Sequence, residues 1–259
     1  MPGLSIDKDH SIYYQLIPGN TNKPYLVYLH EGLGCAAMWS NFPELLCRVT
    51  DCPGLVYDRL GYGRSSPLDR TRTVHYLHNY ALKELPKLID TVIPNTSFIL
   101  IGHSDGGSIS LIFGAERPDF LKGIVTEAAH VFVDSTTVAG IRAADEAWDR
   151  GKLRGLAKYH GEKTEAIFKA WSETWLSDWF RHWSIEYLLP SIEVPLLALQ
   201  GGNDQYGSKD QVNSIASKCS GYVHLKIVKD CAHVPHLEAQ PAVVKLMSEF
   251  IKQITRDIK

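Results

Sequence analysis

Short apolar runs alternate with longer segments of helical period along most of this chain, and this alternation constrains the fold more than any other feature. Each run is almost wholly apolar and ends in a polar or glycine-containing loop. Runs of this kind are typical of strands that are covered on both faces of a sheet. They occupy residues 25–30, 54–58, 97–103, 123–129, 195–201 and 224–230.

The segments between the runs predict helices. Apolar residues recur every three or four positions from Val74 to Val92, where Pro86 predicts a kink, and again from Ala242 to Ile254. Strands that alternate with helices indicate the α/β class. We therefore predict a mostly parallel, doubly wound sheet flanked by helices.

One long segment, residues 130–190, breaks this alternation because it has helical period and no convincing central strand. Four tryptophans recur there at every fourth position, as on one face of a single helix: Trp171, Trp175, Trp179 and Trp183. We predict a helical lid inserted into a core of residues 1–129 and 191–259. The tryptophans pack the lid on the sheet, and Trp175 and Trp179 are also candidates for contacting substrate.

The stretch "GHSDGG" (residues 102–107) follows one apolar run and opens a helical segment. A strand, a glycine-rich turn and a helix form the setting in which a serine is held at the carboxyl end of a strand. Ligands bind at that end of the strands in open α/β sheets. A serine hydroxyl becomes a nucleophile only with a base and an acid beside it. We predict that Ser104 is the nucleophile.

The base and the acid follow in the order expected for this kind of site. Asp204 lies in the loop after residues 195–201, and His233 follows the next run. His236 is an alternative base, although it lies closer to the following helix. Asp230 is an alternative acid, although its position suits a turn. We favour Asp204 and His233, and we expect His103 to be a hydrogen-bonded neighbour of the serine.

An oxyanion hole requires backbone N–H groups that face the reacting carbonyl. The residue after the nucleophile, Asp105, supplies one candidate, and the loop "LHEGLGC" supplies Gly32 and, as a weaker candidate, Leu33. An Asp105 carboxylate about 5 Å from an oxyanion would cost on the order of 3 kcal/mol at a dielectric near 20. We therefore expect its side chain to turn away and to accept hydrogen bonds from helix amides or polar neighbours.

Further polar residues flank these loops. His130 follows the run at 123–129, and we name it with Glu31 as a candidate for contacting substrate. His30 and Glu31 match the first two positions of an H-E-x-x-H zinc motif, but the second histidine is missing because position 34 is glycine. No other cluster has metal-ligand spacing, and no glycine-rich nucleotide motif occurs. We expect neither a metal nor a cofactor.

The net charge of −2 and the absence of a basic run argue against nucleic acid or an anionic membrane surface as a partner. We expect a small-molecule substrate. The sequence does not decide whether the chain forms a homodimer. No run approaches the roughly 18 apolar residues of a membrane span, and no signal peptide is evident. The five cysteines are scattered along the chain, a pattern that favours reduced thiols over disulfide bonds, so we expect a cytoplasmic protein.

Together these motifs resemble those of the α/β-hydrolase fold superfamily over nearly the whole chain. "HEGLG" is similar to its oxyanion loop, "YDRLGYGRS" to its D-x-x-G-x-G-x-S segment, "GHSDGG" to its nucleophile turn and "AHVPHLEAQP" to its histidine loop. The chain particularly resembles uncharacterised bacterial esterase-like hydrolases that carry "HEGLG" and "GHSDGG". It departs from the commoner pattern at Glu31, where glycine is usual, and at Asp105, where Met, Gln or Leu is common.

The resemblance implies a serine hydrolase that cleaves a small carboxylic ester through an acyl-enzyme on Ser104. A lactonase, a thioesterase or a C–C-bond hydrolase would use the same three residues. Epoxide hydrolases and haloalkane dehalogenases are disfavoured, because they carry aspartate at the nucleophile position. From another class of protein, a ligand-binding receptor with little turnover stays an alternative.

Overall fold

The computed structural model describes residues 3–256 and contains an eight-stranded sheet in the order β1-β2-β4-β3-β5-β6-β7-β8. Strands β3 to β8 are parallel, whereas β1 and β2 are antiparallel to their neighbours. The strands are β1 (Gly3–Ser5), β2 (Ser11–Ile17), β3 (Tyr25–Leu29), β4 (Gly54–Tyr57), β5 (Phe98–His103), β6 (Leu121–Glu127), β7 (Leu196–Gly201) and β8 (Val223–Val228).

The predicted mostly parallel sheet with flanking helices is confirmed, and each predicted strand is present within two residues of its expected bounds. The sequence reasoning missed β1 and β2. These two strands form the edge of the sheet, and several of their side chains are exposed. They therefore lack the continuous apolar run that marks the inner strands.

Ten α-helices follow or separate the strands within the described residues: α1 (Phe42–Thr50), α2 (Tyr76–Asn79), α3 (Leu85–Val92), α4 (Asp105–Ala115), α5 (Ser135–Asp149), α6 (Ala157–His160), α7 (Thr164–Leu176), α8 (Lys209–Lys218), α9 (Pro235–Glu238) and α10 (Gln240–Arg256). Residues 80–84 form a π-helical turn just before α3, whose second residue is Pro86. Proline has no N–H group to continue a regular helix, which accounts for this irregularity. No helix in the 3–256 region is long and apolar enough to cross a membrane.

The sheet separates two apolar cores. Along β3, Leu26 and Tyr28 are buried in the core beneath α1 and α10, whereas Val27 and Leu29 are buried in the core on the opposite face. Successive side chains of a strand point to opposite faces, so both faces of this strand must be apolar. This explains why the sequence of β3 reads as a continuous apolar run.

The segment between β6 and β7 contains α5, α6 and α7 together with short 3₁₀ turns. We call its residues 130–190 the insertion; their division from the core as a separate lid stays a prediction. The four tryptophans do not lie on one helix, because α7 ends at Leu176. Ser177 there adopts an extended backbone, and its hydroxyl donates to the carbonyl of Thr174. Trp179 and Trp183 therefore lie beyond the helix.

Candidate active site

Ser104 lies in a sharp turn between β5 and α4. Its backbone has φ of 51° and ψ of −117°, an unfavourable conformation for a residue with a side chain. The N–H group of Ser104 donates to the carbonyl of Glu127 at 2.8 Å, and so fixes the turn to the end of β6. The strained turn places the hydroxyl at the carboxyl ends of the parallel strands.

The glycines on either side of Ser104 are required by close backbone approach. A Cβ atom at Gly102 would overlap the carbonyl of Gly106, and one at Gly106 would overlap the carbonyl of Leu29. The start of α4 therefore lies directly against β3 and β5. No larger residue fits at either position without shifting one of these elements.

The structure brings Ser104, His233 and Asp204 together in one chain of hydrogen bonds. The Ser104 Oγ atom lies 3.0 Å from Nε2 of His233, and Nδ1 of the same ring lies 2.9 and 3.0 Å from the two carboxylate oxygens of Asp204. In this arrangement the serine donates to Nε2, and Nδ1–H donates to the carboxylate. This is the geometry that a serine nucleophile needs for activation by a general base.

Asp204 is held in place by groups other than His233. Its carboxylate accepts hydrogen bonds from the N–H of Tyr206 at 2.8 Å and from Nε2 of Gln200 at 2.6 Å. Burial opposes ionisation, but the hydrogen bond from His233 and the neighbouring donors keep the pKa of Asp204 below its ordinary value. The acid is therefore ionised and oriented toward the imidazole at neutral pH.

The alternative base, His236, faces away from Ser104. Its Nδ1 atom lies 2.6 Å from Oε2 of Glu127, and both side chains are almost fully buried. The structure thus places His233 rather than His236 at the serine. His103 donates from Nε2 to the carbonyl of His233 at 2.7 Å and so holds the loop that carries His233. This is the hydrogen-bonded neighbour of the serine that the sequence predicts.

Two of the three candidate oxyanion donors have a backbone N–H group without an acceptor. Within the described part of the chain, neither Gly32 nor Asp105 donates its N–H to another residue. The N–H of Leu33, the weaker oxyanion candidate, instead donates to Oε2 of Glu31 at 2.6 Å. The structure therefore argues against Leu33 as a donor, because a side chain already occupies its hydrogen. No motif in the sequence predicts that the Glu31 side chain folds back onto this N–H group.

The loop that carries Gly32 is fixed by two side chains that the sequence analysis did not assign to the site. The buried guanidinium of Arg59 donates to the carbonyls of His30 and Glu31. His160, from the insertion, donates from Nε2 to the carbonyl of Leu33 at 2.8 Å. Nothing in the sequence links His160 to this loop. These contacts leave the N–H of Gly32 unoccupied.

The carboxylate of Asp105 accepts a hydrogen bond from the Tyr76 hydroxyl at 3.0 Å, so the expected pairing with a polar neighbour is present. The same hydroxyl accepts a hydrogen bond from Nε1 of Trp175 at 2.9 Å. The Arg72 guanidinium lies 4.6 Å from the centre of the Tyr76 ring. Tyr76, which the sequence analysis did not name, thus links a tryptophan of the insertion to the residue beside the nucleophile.

A cavity of about 190 Å³ opens onto Ser104 and His233. Its walls combine residues of the core loops with largely apolar residues of α5, α7 and the segment between them. Of the four candidates for contacting substrate, three line it: Glu31, His130 and Trp175. Trp179 does not line the cavity and is 51% exposed, because the chain has left α7 before reaching it. The wall instead contains Trp171, one turn before Trp175.

His130 is almost fully buried at the cavity wall. Its Nε2–H donates to the carbonyl of Tyr206 at 2.8 Å, and its Nδ1 atom has no partner among the described residues. Burial lowers the pKa of His130, so the ring is neutral at neutral pH. It therefore contributes shape and hydrogen-bonding capacity to the cavity but no positive charge.

The cysteines near the motifs do not compete with Ser104 as nucleophiles. Burial raises the pKa of Cys35 and of Cys231 to about 12, so both are protonated thiols at neutral pH. A thiol reacts as its thiolate, which is scarce under these conditions. None of the five cysteines forms a disulfide bond in the structure.

Comparisons with known proteins identify the family of the chain. A model of the Alpha/beta hydrolase family matches residues 26–246. The chain is 23% identical to the proline iminopeptidase of Saccharolobus solfataricus, over 94% of this chain and 90% of that protein. It is 25% identical to the human serine hydrolase BPHL, over 76% of this chain and 69% of that protein.

Solved structures share the fold at lower sequence identity. The 2-hydroxy-6-oxo-6-phenylhexa-2,4-dienoate hydrolase from Rhodococcus sp. strain RHA1 superposes with a TM-score of 0.80 at 12% identity, over 96% of this chain and 97% of that chain. The family match covers most of the sequence, and the relatives support a serine hydrolase. The chain therefore belongs to the alpha/beta hydrolase family.

Proposed function

We propose that this protein hydrolyses a small carboxylic ester through an acyl-enzyme on Ser104. The observation that carries the proposal is the hydrogen-bonded chain from Ser104 through His233 to Asp204, which lies beside two unoccupied N–H groups. The size of the cavity, about 190 Å³, favours a small acyl group. No cofactor takes part in this reaction.

The first half of the reaction forms the acyl-enzyme. His233 accepts the Ser104 proton on Nε2 while Oγ attacks the substrate carbonyl carbon. The oxyanion accepts hydrogen bonds from the N–H groups of Gly32 and Asp105. When the carbonyl re-forms, the bond to the alkoxy group breaks, and His233 returns its proton to the departing alcohol. Asp204 stabilises the imidazolium form throughout.

The second half uses water. A water molecule occupies the space left by the alcohol, gives a proton to His233 and attacks the acyl carbon. The serine then leaves with the proton from Nε2, and the carboxylic acid product ionises in water. The insertion, acting as a lid, would exclude bulk water from these steps through Trp171 and Trp175.

The cavity also bears on the alternative reactions. The Rhodococcus neighbour is named for a dienoate, a substrate with a carboxylate. Among the described residues of the present protein, no arginine or lysine lines the cavity. A carboxylate would have no cation to meet it there, which disfavours a C–C-bond hydrolase of that kind. Lactones and thioesters bear no such charge and remain alternatives.

A substrate panel tests this proposal. Steady-state kcat/KM is measured for a short 4-nitrophenyl ester, a small lactone, a thioester and an amino-acid 4-nitroanilide, with Ser104→Ala as the control. We expect the ester to give the highest kcat/KM and the control to give none above the uncatalysed rate. A higher value for another substrate would replace the ester assignment, and tight binding without turnover would favour the receptor.

A further inference from the structure

We propose that the substrate carries an ammonium group close to the scissile carbonyl, and that Glu31 recognises it together with the rings of Trp171 and Tyr206. The proposal rests on the proposed function and adds a class of substrate to it. It makes Glu31 a specificity-determining residue that contacts the substrate without taking part in bond breaking.

The first observation is a charge that no protein group balances. Glu31 lines the cavity, and no lysine, arginine or histidine of the described chain lies within 4.0 Å of its carboxylate as an ion-pair partner. The nearby Arg59 directs its guanidinium to backbone carbonyls instead. Burial raises the pKa of Glu31, and the N–H of Leu33 and the charges of His233 and Arg59 offset this only in part.

Of the other acids at the cavity, only Asp204 has an ion-pair partner among the described residues. Asp204 is paired with His233, and Asp105 accepts from Tyr76. His233 is already paired with Asp204, and burial keeps the pKa of His103 and of His130 below the ordinary value. The cavity is therefore lined by two carboxyl groups, those of Asp105 and Glu31, that have no ion-pair partner among the described residues.

The carboxylate of Glu31 is fixed but not saturated. Its Oε2 atom accepts the N–H of Leu33 at 2.6 Å, and its Oε1 atom accepts no hydrogen bond from any described residue. One oxygen thus orients the group, and the other remains available as an acceptor. A ligand N–H⁺ donor is the partner that satisfies both the free oxygen and the uncompensated charge.

Aromatic rings lie beside this carboxylate. The Trp171 indole packs on Gly32, the next residue after Glu31, so closely that a Cβ atom there would lie 2.5 Å from Nε1. The Tyr206 ring centre lies 6.3 Å from that of Trp171 and 4.8 Å from that of His233. Tryptophan and tyrosine faces attract cations. A carboxylate beside two such rings is a suitable site for an ammonium group.

The test measures equilibrium binding of three ligands of equal chain length: pentylammonium, pentanol and pentanoate. Binding is followed by tryptophan fluorescence, because Trp171 and Trp175 line the cavity. We expect pentylammonium to bind roughly ten- to hundredfold more tightly than pentanol, the range for a hydrogen bond to a charged group. Pentanoate should bind most weakly of the three.

Glu31→Gln tests the residue itself, since glutamine removes the charge but can still accept the N–H of Leu33. We expect this variant to bind pentylammonium and pentanol equally well. Glu165→Gln is the matched control, because Glu165 is exposed on α7 and its loss changes the net charge by the same amount. This control should keep the wild-type preference.

Equal binding of the three ligands by the wild type, or an ammonium preference that survives in Glu31→Gln, would overturn the proposal. The wild-type result alone decides the matter if the Glu31 variant does not fold. Binding does not depend on turnover, so labelling of Ser104 by a fluorophosphonate separates the two levels of the account. A labelled serine without ammonium preference refutes only the substrate class, whereas an unlabelled serine refutes the hydrolase assignment.

Discussion

Two histidine–carboxylate pairs lie close together in this protein, and their histidines are three residues apart in the chain. Asp204 and His233 meet at 2.9 Å beside the cavity, with Ser104 on the other side of the imidazole. Glu127 and His236 meet at 2.6 Å behind them. The chemical groups are nearly the same, but their surroundings differ.

The second pair is sealed within the core. The His236 ring lies 4.4 Å from that of Trp39 and 5.4 Å from that of Phe42, and no hydroxyl or thiol is hydrogen-bonded to it. The first pair, by contrast, has a serine in a strained turn and an opening to a cavity. A histidine and a carboxylate thus suit catalysis only where a nucleophile and space for substrate adjoin them. The buried pair serves the fold.

The largest expected effect is on the two histidines. His233→Ala should lower ester hydrolysis by roughly a millionfold, as removal of the base does in other serine hydrolases. His236→Asn should keep most of the activity of each folded molecule, because His236 does not reach Ser104. The measurement is kcat, normalised to the folded fraction from circular dichroism. Comparable losses in both variants would erase the distinction between the pairs.

The carboxylates should differ in the same direction. Asp204→Asn should lower kcat by about 10⁴-fold, because the amide favours the wrong imidazole tautomer. Glu127→Gln keeps the shape of its side chain and should have a much smaller effect on kcat. Both variants are compared on the same ester at the same pH. A larger loss in the Glu127 variant would show that the buried pair, too, acts in catalysis.

The free energy of unfolding should show the reverse order, with the larger loss at the buried pair of Glu127 and His236. Glu127→Ala leaves His236 buried without its partner and should lower the free energy of unfolding by about 3–5 kcal/mol. Asp204→Ala should cost less, because His233 borders the cavity and can be hydrated there. Urea unfolding of the two variants at neutral pH gives the comparison. Equal losses would mean that the second pair contributes no more to folding than the first.

Acid should destabilise the fold through buried histidines outside both pairs. Burial holds the pKa of His30, His103, His130 and His160 below the ordinary value of 6.5. These neutral buried histidines stabilise the fold fully above pH 6.5, where the same histidines are also neutral in the unfolded chain. This stabilisation is lost as the pH falls from 6.5 toward the lowered pKa of each, because only the unfolded state then binds protons.

Each of these groups should contribute a slope of about 1.4 kcal/mol per pH unit below pH 6.5. Urea unfolding at several pH values between 5.5 and 7.5 measures the total. The glutamine in His160→Gln can still donate to the carbonyl of Leu33, but it does not titrate. This variant should therefore reduce the slope of the free energy of unfolding against pH by the contribution of one histidine. An unchanged slope in this variant would contradict a neutral, buried His160.

The smallest expected effect concerns the link between the insertion and the serine turn. Tyr76→Phe removes the hydroxyl that joins Trp175 to Asp105, and it takes away the hydrogen bond that holds the Asp105 carboxylate. We expect kcat to fall roughly tenfold, equivalent to one hydrogen bond. Trp175→Phe should have a smaller effect, because the hydroxyl would still donate to Asp105. The opposite order would indicate that Trp175 acts through the cavity wall instead.

The chain order of Ser104, Asp204 and His233 and the apolar runs before them were enough to predict the parallel sheet and the residues that would meet. These features depend on local pattern, since each residue lies in the loop or turn that follows a strand. The contacts of Tyr76 and His160 could not be predicted in this way. Each joins elements far apart in the chain, and neither residue lies in a recognisable motif.

Two mistaken expectations have the same origin. Trp179 was named as a candidate for contacting substrate because it follows Trp175 by four residues, but a serine that bonds to the preceding turn ends α7 before Trp179. Leu33 was named as a donor from its place in a glycine-rich loop, but its N–H is taken by Glu31. Periodicity and spacing give the positions of residues along the backbone, whereas the hydrogen bonds of individual side chains emerge only from the folded structure.

The central claim is that Ser104 is an activated nucleophile. Mass spectrometry of the intact protein after treatment with a fluorophosphonate, followed by peptide mapping, tests it most directly. The account predicts one adduct per chain on Ser104, none on Ser104→Ala, and much slower labelling of His233→Ala than of His236→Asn. Folded wild-type protein that stays unlabelled at Ser104, or that carries the adduct on another residue, would contradict it.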